Sequence, residues 1–291
     1  MSNTTVIYPI VTALVKAEEL IGPGRSWRAT NQAQERFLKE SFEPCRKESG
    51  SIAEIESIAS FRAEEINRFL SKRGFKIQLR PFAQNTQWKE FGVASVLDLL
   101  VKWLKPGKAT TLKTSDGQSY AAARQDTEVS SFYRAAGHDY PIAQLKTTSS
   151  DLVFLTRLDH AAADFELLHY TRRLVDSIEP INDYSGVVFP MVDLKQEVDV
   201  SWLIDLESSS ASGQPVKITQ ALQETHLALN EKGARAKSAF AATIVQAAYR
   251  TPRPDLIIDG PFLIWFERPG LSEPLFVGHI TKEDWKNPGE L

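Results

Sequence analysis

Gln223-Glu224-Thr225-His226-Leu227-Ala228-Leu229-Asn230-Glu231-Lys232-Gly233 reads as a β-strand that runs into a polar turn and ends on a glycine. A glycine there gives the backbone conformational freedom where a strand passes into a loop. The following stretch, Ala234–Arg253, has no turn residue before Pro252. It is alanine-rich, a composition that an exposed helix also favours. Two apolar runs come next, Ile257–Phe266 and Leu275–Ile280, joined by Glu267-Arg268-Pro269-Gly270-Leu271-Ser272-Glu273-Pro274. Turn residues at that tip predict a hairpin. Strands apolar on both faces are expected to be covered twice.

Upstream the texture divides near residue 91. Residues 1–90 read as mostly helical. Val11, Leu14, Val15 and Leu20 share one face of a first helix that Gly22-Pro23-Gly24 ends. Asn31 is a candidate N-cap for a second helix carrying Phe37, Leu38 and Phe42, stopped near Pro44. A third helix is expected from Ser51, with Ile52, Ile55, Ile58, Ile66, Phe69 and Leu70 at helical spacing and Gly74 as C-cap. Phe75–Phe82 alternates apolar and polar, which predicts a strand with one buried face. Val93–Leu104 is apolar enough for helix or buried strand, and the main-sheet strand is preferred. Short strand-like runs follow at Glu128–Tyr133, Ile142–Leu145, Leu152–Leu158, Val187–Val192 and Val216–Leu222, interrupted by one helix at Ala161–Ile178. Ser208–Ser212 reads as a surface loop. Helices and strands in separate runs indicate an α+β fold. A single domain, 1–291, is expected, with a helical portion over 1–90 and a β-rich portion over 91–291.

Composition is that of an ordinary globular chain: 291 residues, 42% hydrophobic, 24% charged, formal net charge -3. Such a balance argues against nucleic acid or an anionic membrane as the partner. A single cysteine, Cys45, excludes an internal disulfide. Met1–Ile10 carries no Lys or Arg, so a cytoplasmic location is expected, or a secreted one if a leader has been removed. The five histidines form no metal-binding spacing, and the sequence has no phosphate-binding glycine loop and no nucleophile elbow. Asp151, Asp159 and Asp164 around His160 read as a polar turn and helix start. Neither a cofactor nor enzymatic activity is expected. An enzyme of unrelated fold is the more distant alternative.

Taken in order, these segments resemble the serpin family. The strand running into Asn230-Glu231-Lys232-Gly233 looks like the hinge at which serpins begin their reactive loop. Asp259-Gly260-Pro261-Phe262 looks like the family's Asp-His-Pro-Phe strand, with Gly260 where histidine is common. Pro274-Leu275-Phe276-Val277-Gly278-His279-Ile280 is similar to its returning Leu-Phe-x-Gly strand. Val187–Leu194 resembles the Leu-Pro-x-Phe strand. Trp103-Leu104-Lys105-Pro106 resembles the tryptophan that ends a central strand. The likeness covers about 91–288. The chain is short for a serpin, and the shortfall lies before residue 91, so a reduced N-terminal helical layer is expected.

The resemblance implies antiparallel and mixed sheets with an exposed reactive-type loop, and a monomer that inhibits a serine or cysteine protease. The protease would cut the loop 234–253, and the loop's N-terminal part would enter the main sheet as a strand. Such a strand must alternate. One face would be Ala234, Ala236, Ser238, Phe240, Ala242 and Ile244; the other begins with Arg235 and Lys237. The implied hinge is Glu231, Gly233, Ala234 and Ala236. Counting Glu231 as the seventeenth residue before the cleaved bond places it at Ala247–Ala248. A loop longer before the bond would move it to Arg250. Gln223 takes the place of a polar residue under the centre of the main sheet. The alternative is a non-inhibitory serpin relative that acts as a binding or scaffold protein.

Overall fold

A computed structural model describes residues 1–22, 26–82, 91–160, 165–234 and 253–291. The N-terminal region opens with a short strand, β1 (Asn3–Thr5), before helix α1 (Tyr8–Ile21). Val11, Leu14 and Ala17 are buried on one face of α1. Helix α2 (Gln32–Phe37) starts at Asn31, whose side-chain oxygen accepts from the Gln34 backbone N–H at 2.9 Å. The chain continues through a wider turn, Leu38–Phe42, into α3 (Glu43–Cys45).

The third expected helix is divided. Ile55–Ser60 is a strand, β2, and only Ala63–Ser71 is helical, as α4. Isoleucines spaced by three fit either structure, and their β-branched side chains also suit a pleated surface. The deciding factor is a distant partner, β3 (Gly92–Leu97), which pairs antiparallel with β2 from Ile55↔Leu97 to Ser60↔Gly92. At the junction, Ser60 Oγ accepts from the Arg62 N–H and bonds Glu65 in the first turn of α4. The strand expected over Phe75–Phe82 is also corrected. Phe75, Ile77 and Leu79 do turn inward while Lys76, Gln78 and Arg80 are exposed, but no backbone ladder forms.

The long run at 93–104 also splits. After β3, the chain leaves the strand at Asp98–Leu100 and resumes as β4 (Val101–Lys102). The remaining strands are β5 (Lys108–Lys113), β6 (Ser119–Asp126), β7 (Ser130–Ala135), β8 (Ile142–Lys146) and β9 (Leu152–Arg157). Helix α5 (Phe165–Asp176) follows, then β10 (Ile178–Ile181), β11 (Gly186–Pro190), β12 (Val192–Val198), β13 (Glu207–Ser209) and β14 (Pro215–Lys217). The chain ends with β15 (Gln223–Leu229), β16 (Gly233–Ala234), β17 (Asp255–Ile257), β18 (Phe262–Glu267) and β19 (Phe276–Ile280). The run 208–212 is therefore part strand and part turn, and the run 216–222 is strand only to Lys217.

These strands form an α+β fold. The largest sheet has the order β1-β19-β18-β9-β8-β7-β10. The predicted hairpin supplies its second and third strands, paired from Phe262↔Ile280 to Phe266↔Phe276, and every residue from Phe262 to Phe266 is buried. A second sheet is β17-β11-β6-β5, and a third is β12-β15-β16-β4. The third sheet contains both halves of the predicted main-sheet pair, but only Val101–Lys102 of the 93–104 run belongs to it.

Candidate functional site: the hinge and the cleft beneath it

Strand β15 turns back on itself through Asn230–Lys232. The Asn230 N–H donates to the Gly233 carbonyl at 3.0 Å, and the Lys232 N–H donates to Asn230 Oδ1 at 2.8 Å. Asn230 Nδ2 reaches the Gly289 carbonyl at 3.0 Å, and the Asn230 carbonyl accepts from Trp103 Nε1 at 3.0 Å. Both Asn230 and Trp103 are buried. One asparagine thus joins the turn, the tryptophan after β4 and the C-terminal tail. Buried polar groups satisfied in this way fix a single local geometry.

The two residues of β16 are held on both sides. Ala234 lies opposite Leu229 of β15 and opposite Val101 of β4, and Gly233 lies opposite Lys102. A Cβ on Gly233 would stand 2.4 Å from the Val101 carbonyl oxygen. Gly233 has no positive φ. Its role is close approach to a neighbouring strand rather than the conformational freedom read from the sequence.

Beneath this wedge the sheet is open. Among the described residues, β15 has a ladder partner along its whole length on one side, β12, while on the other only Leu229 is paired. Alongside the unpaired edge runs a cleft of about 640 Å³. One wall is β15 with the residues before it, from Thr219 to Ala228, and the other is β3. Ile10, Ala13, Leu14 and Ala17 of α1 line it from one face; Phe75, Ile77 and Leu79 line it from the other. The two faces of β3 confirm this layering. Ala94 and Val96 pack with Ile66, Leu70 and Leu79, whereas Val93 and Leu97 pack on the main core that contains α1. Among the described residues, Ser95 Oγ, in the β3 wall, is buried with no hydrogen-bond partner.

The residues expected at the hinge are placed as follows. Glu231 is half-buried, and its carbonyl accepts from the Gly107 N–H at 2.7 Å. Gly233 and Ala234 are buried in β16. Ala236 and the bond candidates Ala247, Ala248 and Arg250 lie outside the described residues, as do Ala239 and the rest of 235–252. Gln223 stands at the start of β15, half-buried, with Nε2 donating to the Val6 carbonyl at 3.0 Å.

The sequence reading missed Glu224. Its side chain is only 8% exposed and accepts from the Lys76 and Ile77 N–H groups at 2.8 and 3.2 Å and pairs with His226 at 2.7 Å. Burial works against its charge, but the bonds from His226 and the two amides hold its pKa below the usual carboxylate range. The reading of Asp151 as part of a polar turn is also corrected. Asp151 is buried and bonds Arg268 at 2.6 Å, and Arg268 bonds Glu54 at 2.6 Å. No short motif marks either site, because each assembles residues more than a hundred positions apart.

A sequence model of the family described as Serpin (serine protease inhibitor) matches residues 194–283, which span β15, the hinge and the β18–β19 hairpin. Solved structures extend the match to the rest of the chain. Uncleaved ovalbumin aligns at 15% identity over 96% of this chain and 92% of its own, with a TM-score of 0.63. The chain has the serpin fold. A serpin from Schistosoma mansoni aligns at 11% identity over 96% of this chain and 73% of its own, with a TM-score of 0.53. Serpin48, a highly specific serpin of the insect Tenebrio molitor, aligns at 14% over 97% and 74%, with a TM-score of 0.52. No curated protein matches the chain by sequence. The serpin resemblance read from the hinge and hairpin motifs is thus upheld.

Proposed function

We propose that this serpin inhibits a serine or cysteine protease by cleavage of the segment 234–253 and insertion of its N-terminal part into the cleft between β3 and β15. The observation that carries this reading is β16: Ala234, the first residue of that segment, already occupies with Gly233 a strand position between β15 and β4, at the upper end of an unpaired edge.

The observed register supports it in detail. Ala234 lies opposite Leu229. Continued antiparallel, residue 235 would face Ala228, and residue 244 would face Thr219, the end of the β15 wall. Residues directly opposite share a face of the sheet. Thr225, Leu227 and Leu229 are the buried face of β15. Their partners would be Ser238, Ala236 and Ala234, which are small. The outward partners would begin with Arg235 and Lys237. A cleft that accepts the segment as far as Ile244 leaves Val245–Ala247 before the bond Ala247–Ala248, which favours that bond over one at Arg250.

The test is incubation with a panel of serine and cysteine proteases that includes elastase and trypsin. A complex stable on a denaturing gel is expected, with mass spectrometry of the released fragment placing the bond after Ala247. The second reading is a non-inhibitory binding or scaffold role. The bulk of Phe240, whose partner in this register is Gln223, favours it by slowing insertion. Clean cleavage by both enzymes, with no stable complex and no gain in heat stability, would establish that reading instead.

A further inference from the structure

We propose that the free edge of β2 pairs with the same edge of a second copy of this chain, joining two molecules antiparallel across a two-fold axis at Ile58. The ladder with β3 decides which backbone groups are available. The Asp98 N–H donates to the Glu54 carbonyl at 3.0 Å, one step beyond the pair Ile55↔Leu97. Hydrogen-bonded pairs recur at every second residue of an antiparallel ladder, so Glu56, Ile58 and Ser60 bond β3. Ile55, Ser57 and Ala59 turn their N–H and C=O groups the other way. The Ile52 carbonyl takes the Ile55 N–H at 3.1 Å. Among the described residues, β2 has no second ladder partner, and the N–H and C=O groups of Ser57 and Ala59 meet no hydrogen-bonding group. Exposed edges are usually blunted by lysine, proline or short length. Other edges of these sheets follow that rule: β5 begins and ends with Lys108 and Lys113, β10 contains Pro180, β12 carries Lys195, and β1 has three residues. β2 has six residues with neither lysine nor proline, and its one charged side chain, Glu56, is paired with Arg73.

The residues around this edge are self-complementary, which is why the occupant is a second copy. With the axis at Ile58, Ser57 of each copy lies opposite Ala59 of the other, and every outward N–H and C=O of these two residues is paired. Counting outward from the axis, Ile58 meets Ile58, Glu56 meets Ser60, Ile55 meets Phe61 and Glu54 meets Arg62. No like charges face each other, and the acid and base at the two ends attract. Phe61 is 40% exposed, and Arg62 is 73% exposed with an extended backbone. Ile58 packs half-buried on the cluster of Ile66 and Leu70, so its partner extends that core. An axis at Ser57 would set Ala59 against Ile55, whose N–H is engaged. One at Ala59 would set Ser57 against Phe61, past the end of the strand. β3 stands between this edge and the cleft, so pairing leaves the cleft open and does not depend on loop insertion.

Sedimentation equilibrium of the full chain is expected to show the mass rising towards twice that of one chain between about 1 μM and about 1 mM, the affinity range of a small interface. A wild type that stays monomeric throughout overturns the proposal. Ala59→Pro removes an outward N–H without touching the β3 ladder. It is expected to weaken association by roughly tenfold or more, which is about 1.4 kcal/mol, and an unaffected dimer overturns the proposal. The register is read separately with Ser57→Cys, Ile58→Cys and Ala59→Cys, oxidised by copper phenanthroline and run on a non-reducing gel. Across the axis the two residues at 58 stand about 4.5 Å apart, within disulfide reach. The two at 57, and the two at 59, stand more than about 7 Å apart, out of reach. Ile58→Cys is therefore expected to cross-link roughly tenfold faster than either neighbour. The native thiol, Cys45, is fully buried and gives a slow background. Equal rates at the three positions, or a faster rate at 57 or 59, overturn the proposal. This comparison decides it if Ala59→Pro loses its native melting transition.

Discussion

Replacing Gly233 with alanine adds one methyl group between β16 and β4. The new Cβ would stand 2.4 Å from the Val101 carbonyl oxygen and 3.2 Å from the Lys102 Cα. Close C···O contacts in proteins lie near ~3.3–3.6 Å, so β4 has to recede by about 1 Å. Both atoms belong to backbone, and neither can rotate away. Overpacking of this kind costs about 1–3 kcal/mol. At roughly 2–4 °C per kcal/mol for a domain of this general size, the melting temperature should fall by about 2–12 °C. The sign discriminates between two roles. A glycine that only supplies conformational freedom at a negative φ is stabilised by alanine, by about 0.4–1 kcal/mol, because the unfolded chain loses entropy. Gly50 provides the control, since nothing stands within 4 Å of its added Cβ and its φ is not positive. Urea denaturation of Gly233→Ala and Gly50→Ala should therefore shift in opposite directions. A Gly233→Ala midpoint at or above wild type would refute the wedge between β15 and β4.

Trp103→Phe keeps most of the buried ring but removes the donor to the Asn230 carbonyl. The expected loss is about 1–3 kcal/mol in urea denaturation, and an unchanged midpoint would mean that this bond does not hold the turn. Arg268→Met leaves Asp151 buried without its partner, which should cost about 3–5 kcal/mol; adding Asp151→Asn should recover part of that loss, and strict additivity would show the two are not coupled. Burial holds His138 and His279 below the ordinary imidazole value. Their folded pKa values are lower than the unfolded value of about 6.5, so the stability they contribute is complete above that pH and is lost as pH falls towards the folded values. Melting temperature should drop from pH 7.5 to pH 5.5, less steeply in His138→Gln, and a flat profile would contradict both buried sites.

What was legible in the sequence was whatever depends on near neighbours or on strong two-sided apolarity. The hairpin of Phe262–Glu267 and Phe276–Ile280, the Asn31 cap and the α1 stop at Gly22 all belong to that group. The errors arose where a distant partner decided the outcome. Ile55–Ser60 has isoleucines at helical spacing, and only pairing with Gly92–Leu97 makes it a strand. Val93–Leu104 is apolar apart from Ser95, Asp98 and Lys102, and the strand breaks at Asp98, so the cleft separates its first half from β15. Phe75–Phe82 shows that alternation reports a buried face and not a ladder: the inward residues were right, but the segment's hydrogen bonds go to Glu224, Gln220 and Asn67. Gly233 was singled out, but the close approach of Val101 that explains it comes from a strand more than a hundred residues away.

Strand β1 carries a consequence for how the chain is made. Asn3, Thr4 and Thr5 pair with His279, Gly278 and Val277. A ribosome that has just released β1 must add roughly 270 more residues before that partner exists. At about 5–20 residues per second this takes roughly 15 to 55 s. Throughout that interval the β19 edge of the largest sheet is absent and β1 has nothing to pair with. The nascent chain therefore needs other means, such as a bound chaperone or early packing of α1, to keep this segment from pairing with a stranger.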